Sequence, residues 1–189
     1  MKIRIEEVKD YGAVEYLTRE AFWNKMGPGC DEHYIVHKLR EVEAFIPELS
    51  LVMEIDDRII GHICYSKAKV IGEQGHKVVT MGPVSIHPHY QKKGLGELLI
   101  KHSFEKAKEV GIESVIIFGN PDYYKKYGFV NAKEFNIQTR EGENFDAFMA
   151  LEFTEGALER VEGRFFEDEV FETDELEVLA FEKRYIQFD

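Results

Sequence analysis

Cysteine is scarce in this chain, since Cys30 and Cys64 are the only two thiols among 189 residues. Neither lies in a Cys-x-x-Cys spacing, so a disulfide framework or a structural zinc site is not expected. Of seven scattered histidines, only the pair in His87-Pro88-His89 resembles metal ligands. The proline favours an ordinary loop there, so no metal ion is predicted.

Long apolar segments are also missing. No segment approaches 18 consecutive apolar residues, so no membrane-spanning helix is predicted. Residues 1–10, MKIRIEEVKD, lack the apolar stretch of a secretory signal, and together with the unpaired cysteines this predicts a cytoplasmic protein. Apolar residues still make up 44% of the chain and aromatic residues 13%, which is enough for a folded core.

Positive charge is in short supply, with 24 basic against 36 acidic side chains and a net charge of −12. The distribution is uneven. Residues 67–133 contain 11 basic and 6 acidic side chains, a net +5, whereas residues 1–66 carry −5 and residues 134–189 carry −12. Such a chain is a poor candidate for binding nucleic acid, but its basic centre suits one compact polyanion.

The hydrophobic pattern predicts a mixed α/β chain. Strands are predicted at 1–6, 51–55, 59–70, 77–86, 114–118, from 129 onward, and at 145–153. Helices are predicted at 11–22, 32–42, from about 95 to 110, and as one or two turns at 121–127. Asp10 is the expected N-cap of the first helix, Asp56-Asp57 the turn of a hairpin, and residues 72–76 another turn. The rings within residues 154–189 indicate a packed acidic extension.

One segment, residues 84–96 (VSIHPHYQKKGLG), has the pattern of a strand, a loop and the start of a helix. Gly94 and Gly96 allow the backbone to approach a ligand closely. The free amides at the helix start favour an anion, and Lys92 and Lys93 add positive charge. A diphosphate site is predicted, with a plain strand-to-helix turn as the alternative. The glycine spacing fits neither a dinucleotide fingerprint nor a P-loop.

Gln91-Lys92-Lys93-Gly94-Leu95-Gly96 resembles the Q/R-x-x-G-x-G/A motif of the Gcn5-related N-acetyltransferase (GNAT) superfamily. Residues 115–129, VIIFGNPDYYKKYGF, resemble a second family block that ends in Y-x-x-x-G-F. The resemblance covers residues 1–153. Within the superfamily, the chain is similar to one bacterial branch. It implies a mixed, mostly antiparallel central sheet with a splayed parallel strand pair, flanked by helices. Residues 154–189 are expected to pack on this domain as an acidic C-terminal extension.

The resemblance implies acetyl-CoA as the acyl donor and assigns its contacts. Pyrophosphate binding is expected of Gln91, Lys92, Lys93, Gly94, Leu95 and Gly96. Backbone groups of Val84, Ser85 and Ile86 would hold the pantetheine, because Gly82-Pro83 interrupts this strand and splays it from Val115–Phe118. Asn120 is expected either to contact the cofactor or to cap the next helix.

Tyr124, four residues before Gly128, matches the general acid of the family; the alternative is a packing ring like its neighbours Tyr123 and Tyr127. A backbone amide near Pro83–Val84 would stabilise the oxyanion. The general base is left open, because the position that carries a glutamate in histone-type members is Thr80. The remaining candidates are a water relay or one of Glu32, His33, Glu48, Glu54, His62 and His87.

The predicted function is acetyl-CoA-dependent N-acetyl transfer to a primary amine of a small molecule or peptide. Attack is expected to be direct, without a covalent enzyme intermediate, and the acidic flanks would suit a cationic acceptor. The alternative is a non-catalytic acyl-CoA-binding or sensor module. Nucleic-acid and membrane partners are not expected, and the sequence does not indicate an oligomeric state.

Overall fold

A computed structural model describes residues 1–25, 27–72 and 75–185, with the backbone alone for residues 75–77. The chain forms two compact units. The first comprises residues 1–64, 82–103 and 169–189, and the second comprises residues 65–81 and 104–168. Both units are therefore built from segments that are distant in the sequence.

Five α-helices and eleven strands are formed by the described residues. The helices are α1 (Tyr11–Phe22), α2 (Glu32–Leu39), α3 (Leu95–Glu109), α4 (Pro121–Tyr124) and α5 (Glu175–Glu182). The strands are β1 (Lys2–Ile5), β2 (Leu51–Ile55), β3 (Arg58–Ile63), β4 (Tyr65–Ile71), β5 (Gly75–Met81), β6 (Ser85–Ile86), β7 (Ser114–Phe118), β8 (Val130–Asn131), β9 (Ile137–Gln138), β10 (Phe148–Glu152) and β11 (Gly163–Phe166).

The first unit contains a four-stranded antiparallel sheet in the order β1-β2-β3-β6. The predicted hairpin between β2 and β3 is confirmed, and Asp56 and Asp57 have the positive φ angles of 48° and 59° that a tight hairpin turn requires. Buried apolar side chains of α1 and α2 pack with those of the sheet around Val52 and Cys64. This packing gives the unit its apolar core.

The second unit contains a seven-stranded sheet in the order β8-β10-β7-β5-β4-β11-β9. Most neighbours are antiparallel, but β5 and β7 are parallel, with Val79 opposite Val115, and β9 and β11 are also parallel. The buried cluster on this sheet includes Ile116, Phe148 and Phe165. A mixed, mostly antiparallel α/β fold is therefore confirmed.

Several predicted elements are shorter or divided. The strand predicted at 59–70 is two strands, β3 and β4, which belong to different sheets. Helix α2 ends at Leu39 instead of residue 42. Asp10 occupies the N-cap position of α1, but its side chain accepts no hydrogen bond from an amide of that helix. Its carboxylate accepts hydrogen bonds from Arg4 and from the Glu7 amide instead. The turn predicted at 72–76 includes residues 73–74, which lie outside the described residues.

The C-terminal residues belong to both units. Strand β11 lies between β4 and β9 in the seven-stranded sheet. Helix α5 belongs to the first unit, where the Tyr34 hydroxyl donates to Glu177 Oε2 at 2.6 Å. That residues 154–189 form an acidic extension packed on a domain of residues 1–153 stays a prediction.

Candidate active site

Ser85 and Ile86 form β6, the terminal strand of the first unit's sheet. On one side they pair with His62 and Gly61 of β3, so in the described sheet the opposite edge has no neighbouring strand. The Ser85 hydroxyl donates to Thr18 Oγ1 of α1 at 3.0 Å, and Ser85 is fully buried. The predicted pantetheine strand is thus paired with another strand along one edge only.

The strand predicted at 77–86 is interrupted at Gly82–Val84. Pro83 has no amide hydrogen, so it cannot continue a ladder of hydrogen bonds. The Gly82 amide donates to the Cys64 carbonyl at 2.9 Å, and a Cβ on Gly82 would lie 2.8 Å from Cys64 Sγ. β7 pairs with β5 at residues 79 and 80, whereas residues 85 and 86 pair with β3. The strand predicted at 77–86 is therefore divided at this glycine and proline into β5 and β6, which belong to different sheets.

The loop after β6 is ordered by its own side chains. Pro88–Tyr90 forms one 3-10 turn, and the Gln91 side-chain amide donates to the Ile86 carbonyl at 2.8 Å. Lys93 Nζ donates to the His89 carbonyl at 2.9 Å. Gln91 and Lys93 therefore hold the loop in shape, which the sequence pattern did not indicate.

Two residues of this loop have left-handed backbone conformations, Lys92 with φ 59° and Gly94 with φ 79°. A Cβ on Gly94 would contact nothing within 4 Å, so the backbone conformation, not lack of space, is the reason for glycine here. Left-handed residues beside right-handed ones turn successive amides toward one point, which forms an anion-binding concavity. Helix α3 starts directly afterwards at Leu95, with Gly96 in its first turn.

The loop also borders a cleft of about 1170 Å³ in the first unit. His87, His89, Tyr90 and Lys93 line one side of it. The other lining residues come from β1, the segment 7–10, α1, β2, the turn after β2 and β3, and they include both basic and acidic side chains. Lys92, Lys93 and Gly94 are exposed, so the predicted phosphate-binding groups face solvent.

Asn120 and Tyr124 lie in the second unit. The Asn120 side chain accepts a hydrogen bond from the Asp122 amide at 2.9 Å, and Asn120 is therefore the N-cap of α4. Of the two roles expected for this residue, the structure confirms the capping role. Gly128 ends the following 3-10 turn with φ 96°, and this left-handed conformation explains the glycine of the Y-x-x-x-G-F block.

The Tyr124 ring is packed edge-on against Tyr123 and Phe129, with ring centroids 5.1 and 5.5 Å apart. Burial raises the pKa of Tyr124 well above its ordinary value, so the phenol keeps its proton. Within the described part of the chain, no hydrogen bond occupies its hydroxyl. A protonated hydroxyl without a partner can donate to a bound group.

Sequence reasoning missed Gly119, on which this tyrosine depends. A Cβ at Gly119 would lie only 2.6 Å from the ring atoms Cδ2 and Cε2 of Tyr124. Glycine is thus required for the ring to lie against the chain at the end of β7. The sequence contained one signal for it, a glycine placed between an apolar strand and the Asn-Pro that begins a helix, which indicates close approach of another group to the backbone.

Three of the candidate bases are buried or contact another charged side chain. Glu54 accepts a hydrogen bond from Arg4 at 3.0 Å. His62 is fully buried, and burial lowers its pKa to about 4. His33 is fully buried, with its Nε2 3.0 Å from Glu182.

The other candidates are less occupied. Burial raises the pKa of Glu32, Glu48 is exposed, and His87 Nδ1 accepts the amide of His89 at 3.3 Å. Thr80 is fully buried within β5. The geometry of the described residues therefore does not single out one general base.

Known proteins share this architecture. The Acetyltransferase (GNAT) family matches residues 15–129. The Escherichia coli K12 protein named "Uncharacterized N-acetyltransferase YhbS" is 29% identical over 164 residues, which is 86% of this chain and 93% of that protein. The crystal structure of Escherichia coli YhbS in complex with CoA has a TM-score of 0.81 at 27% identity, covering 91% of this chain and 92% of the other.

A second solved structure is a GNAT family acetyltransferase from Brucella melitensis in complex with acetyl-CoA. Its TM-score is 0.73 at 26% identity, and the match covers 90% of this chain and 97% of that one. The chain belongs to the GNAT acetyltransferase family. The predictions of an N-acetyltransferase, and of acetyl-CoA as its acyl donor, are thereby confirmed.

No helix within residues 1–25, 27–72 and 75–185 is both long and apolar enough to cross a membrane. In the same ranges, no group of three or more histidine, cysteine or acidic side chains is arranged to hold a metal ion.

Proposed function

We propose that this enzyme transfers the acetyl group to a primary amine of a small molecule or peptide by direct attack, without a covalent enzyme intermediate. Acetyl-CoA, when bound, supplies an acetyl group activated as a thioester. The observation that carries the proposal is the loop at 87–96, which has two left-handed residues, exposed lysines and a helix start directly after a strand with one free edge.

The loop supports binding of the pyrophosphate. Backbone amides from Lys92 to Gly96 would donate to its oxygens, because the two left-handed residues turn the chain around one point. The exposed Lys92 and Lys93 add positive charge, although Lys93 is also held by the His89 carbonyl. Gln91 acts indirectly, since its side chain fixes the loop to Ile86.

The free edge of the strand supports pantetheine binding. Backbone groups of Val84, Ser85 and Ile86 are the ones that would pair with the amides of an extended ligand, as a further strand would. The interruption at Pro83 leaves the Val84 amide outside a ladder, and this amide would donate to the oxyanion that forms on the acetyl carbonyl.

Tyr124 is proposed as the general acid. Its raised pKa keeps the proton on the phenol oxygen throughout the physiological range, and the thiolate that leaves from the donor needs one proton or hydrogen bond. The amine must reach the carbonyl uncharged. Glu32, Glu48, His87 or a water molecule would take the proton from the amine. A cytoplasmic location would give the enzyme access to acetyl-CoA.

The test is thiol release from acetyl-CoA across a panel of primary amines, including polyamines, aminoglycosides and peptides. With an active amine, Tyr124→Phe should lower kcat by about 100-fold, as expected for loss of a general acid, with little change in the Kd for CoA. Tyr123→Phe is the matched control, because it removes a neighbouring exposed hydroxyl and should leave kcat unchanged.

Unchanged turnover in Tyr124→Phe would remove the acid assignment. Gly119→Ala provides an independent check, because the added methyl group would displace the Tyr124 ring and should also lower kcat. Tight CoA binding without turnover on any amine would contradict the proposal and favour a binding module.

A further inference from the structure

A second cavity of about 360 Å³ lies in the first unit, between the end of α1, the segment 27–31 and α5. Its walls are apolar and aromatic on one side, with Phe22, Trp23, Pro28, Val178 and Leu179. The carboxylates of Asp31, Glu32, Glu175 and Glu182 lie around it, and Cys30 contributes a partly exposed side chain. The mechanism proposed above does not use this thiol.

Cys30 is the first member of a linear group of three side chains. Its sulfur lies 3.4 Å from His33 Nδ1, and His33 Nε2 lies 3.0 Å from Glu182 Oε2. His33 is fully buried and Glu182 nearly so, whereas Cys30 reaches the cavity. A nucleophile, a base and a group that orients the base are arranged in this order in acyl-transferring enzymes.

Arg19 holds Glu182 in place through one oxygen of its carboxylate. Arg19 contacts Glu182 Oε1 through Nε at 2.7 Å and through Nη2 at 2.6 Å. Oε2 is left to face the imidazole of His33. Nε2 and Oε2 face each other without a hydrogen bond of good geometry, and neither atom has another partner among the described residues. Because a carboxylate can only accept, the tautomer with its hydrogen on Nε2 suits this contact and leaves the Nδ1 lone pair for Cys30.

In the resting protein, Cys30 and His33 have the protonation states that a general-base mechanism requires. Burial, with the nearby carboxylates, raises the pKa of the Cys30 thiol to about 12. Burial also lowers the pKa of His33 below its ordinary value, so at neutral pH the pair is a thiol and an uncharged imidazole. Such a thiol is inert alone and needs its base during attack, as a serine hydroxyl does.

We propose that Cys30, with His33 as base and Glu182 as positioning residue, is a second nucleophile that accepts an acyl group from a small neutral activated ester. The sulfur forms a bond to the acyl carbonyl carbon, and the bond between that carbon and the ester oxygen breaks. The thiol proton passes to His33 Nδ1 and then to the departing oxygen, which leaves a thioester on Cys30 and a free alcohol.

The surroundings of the thiol select the kind of ester. The apolar wall suits a short aliphatic acyl chain, and the surrounding carboxylates disfavour an anionic donor. The competing acceptor for the thiol proton is the Arg19 carbonyl, 3.8 Å from the sulfur. That contact is longer than the one to His33, which favours the imidazole.

The full chain treated with p-nitrophenyl acetate at neutral pH tests this assignment. We expect one equivalent of p-nitrophenolate to be released in a burst, and the mass of one acetyl group on the peptide that contains Cys30. Cys30→Ala should abolish both signals. Cys64→Ala is the matched control, because that thiol is buried, and it should retain them.

His33→Gln distinguishes an assisted thiol from one that reacts alone. It should slow acetylation of Cys30 at least tenfold, as expected for loss of a general base. Glu182→Gln is the second variant, should His33→Gln fail to fold, and it should slow acetylation less. The proposal is overturned if Cys30 stays unmodified, or if both folded variants acetylate it as fast as the original chain does. Amine acetylation by Cys30→Ala should be unchanged, so this test is independent of the proposed function.

Discussion

The two units are stabilised by interiors of different chemistry. In the first unit, charged side chains are buried together: the Glu6 side chain is 1% exposed and that of Arg40 4%. In the second unit, the buried cluster consists of aliphatic and aromatic residues around Phe148 and Phe165. The units therefore respond to different kinds of substitution.

Arg40 is the centre of the charged interior. It contacts Glu6 at 2.6 Å and Glu15 at 2.8 Å, and its guanidinium lies 4.0 Å from the centre of the Tyr11 ring. Glu15 is also 2.9 Å from His37 Nδ1. A buried charge is tolerated only when its partners are complete, so each member depends on the others.

The apolar interior of the second unit depends on volume. Phe148 is fully buried and stacks on Phe118 with ring centroids 5.0 Å apart. Its ring is also 5.7 Å from that of Phe165. Removing atoms from such a cluster costs free energy in proportion to the area and cavity lost, whatever the pH.

The largest effect is expected from Arg40→Met, which leaves Glu6 and Glu15 without their shared cation. We expect a loss of about 3–5 kcal/mol in the free energy of unfolding. Urea unfolding at pH 7 and pH 5 measures it. A loss below about 1 kcal/mol would show that the network contributes no more than a surface ion pair.

A smaller, pH-dependent effect is expected from His62. The Ser50 hydroxyl donates to Glu6 at 2.8 Å and is 3.2 Å from His62 Nε2. The hydroxyl hydrogen is used on Glu6, so Nε2 donates to Ser50, and the buried Nδ1 has no partner within the described residues. The folded-state pKa of about 4 lies below the ordinary 6.5, so the unfolded chain binds the extra proton.

Stability linked to His62 is therefore complete above pH 6.5 and is lost as the pH falls toward 4. The slope is at most about 1.4 kcal/mol per pH unit. His62→Gln should reduce the slope between pH 6.5 and 4.5 in unfolding titrations, with a lower stability at pH 7. An unchanged slope would mean that other groups cause it.

The smallest effect is expected from Phe148→Leu, which keeps an apolar side chain but leaves part of the ring volume empty. We expect a loss of about 1–2 kcal/mol in the free energy of unfolding, from the lost apolar area and the cavity. The same titrations at pH 7 and pH 5 should give equal losses. A pH-dependent loss would contradict the distinction between the two interiors.

Local features of the chain were predictable because they depend on neighbouring residues. The Asp56-Asp57 turn, the helices at 11–22 and 121–124, and the strand at 114–118 follow from turn chemistry and apolar spacing. The glycine loop at 94–96 followed for the same reason. Pro83 marked the interruption of a strand, although the continuous pattern on both sides of it predicted one element.

Contacts between distant residues were not predictable. Glu182 lies 163 residues from Arg19 along the chain, and no local pattern reports such a pairing. Gly119 is also clear only in three dimensions, because its reason is the ring of Tyr124. The packing of the acidic C-terminal residues explains part of their charge, since Glu177 and Glu182 accept contacts from Tyr34 and Arg19.

The sequence alone determined the family, the acyl donor and the class of reaction, because these depend on short motifs whose backbone requirements are local. Tertiary structure decided which carboxylates are buried, which histidines are neutral and which cysteine faces a cavity. Desolvation and pairing come from residues far apart in the chain, and these set the protonation state of each group.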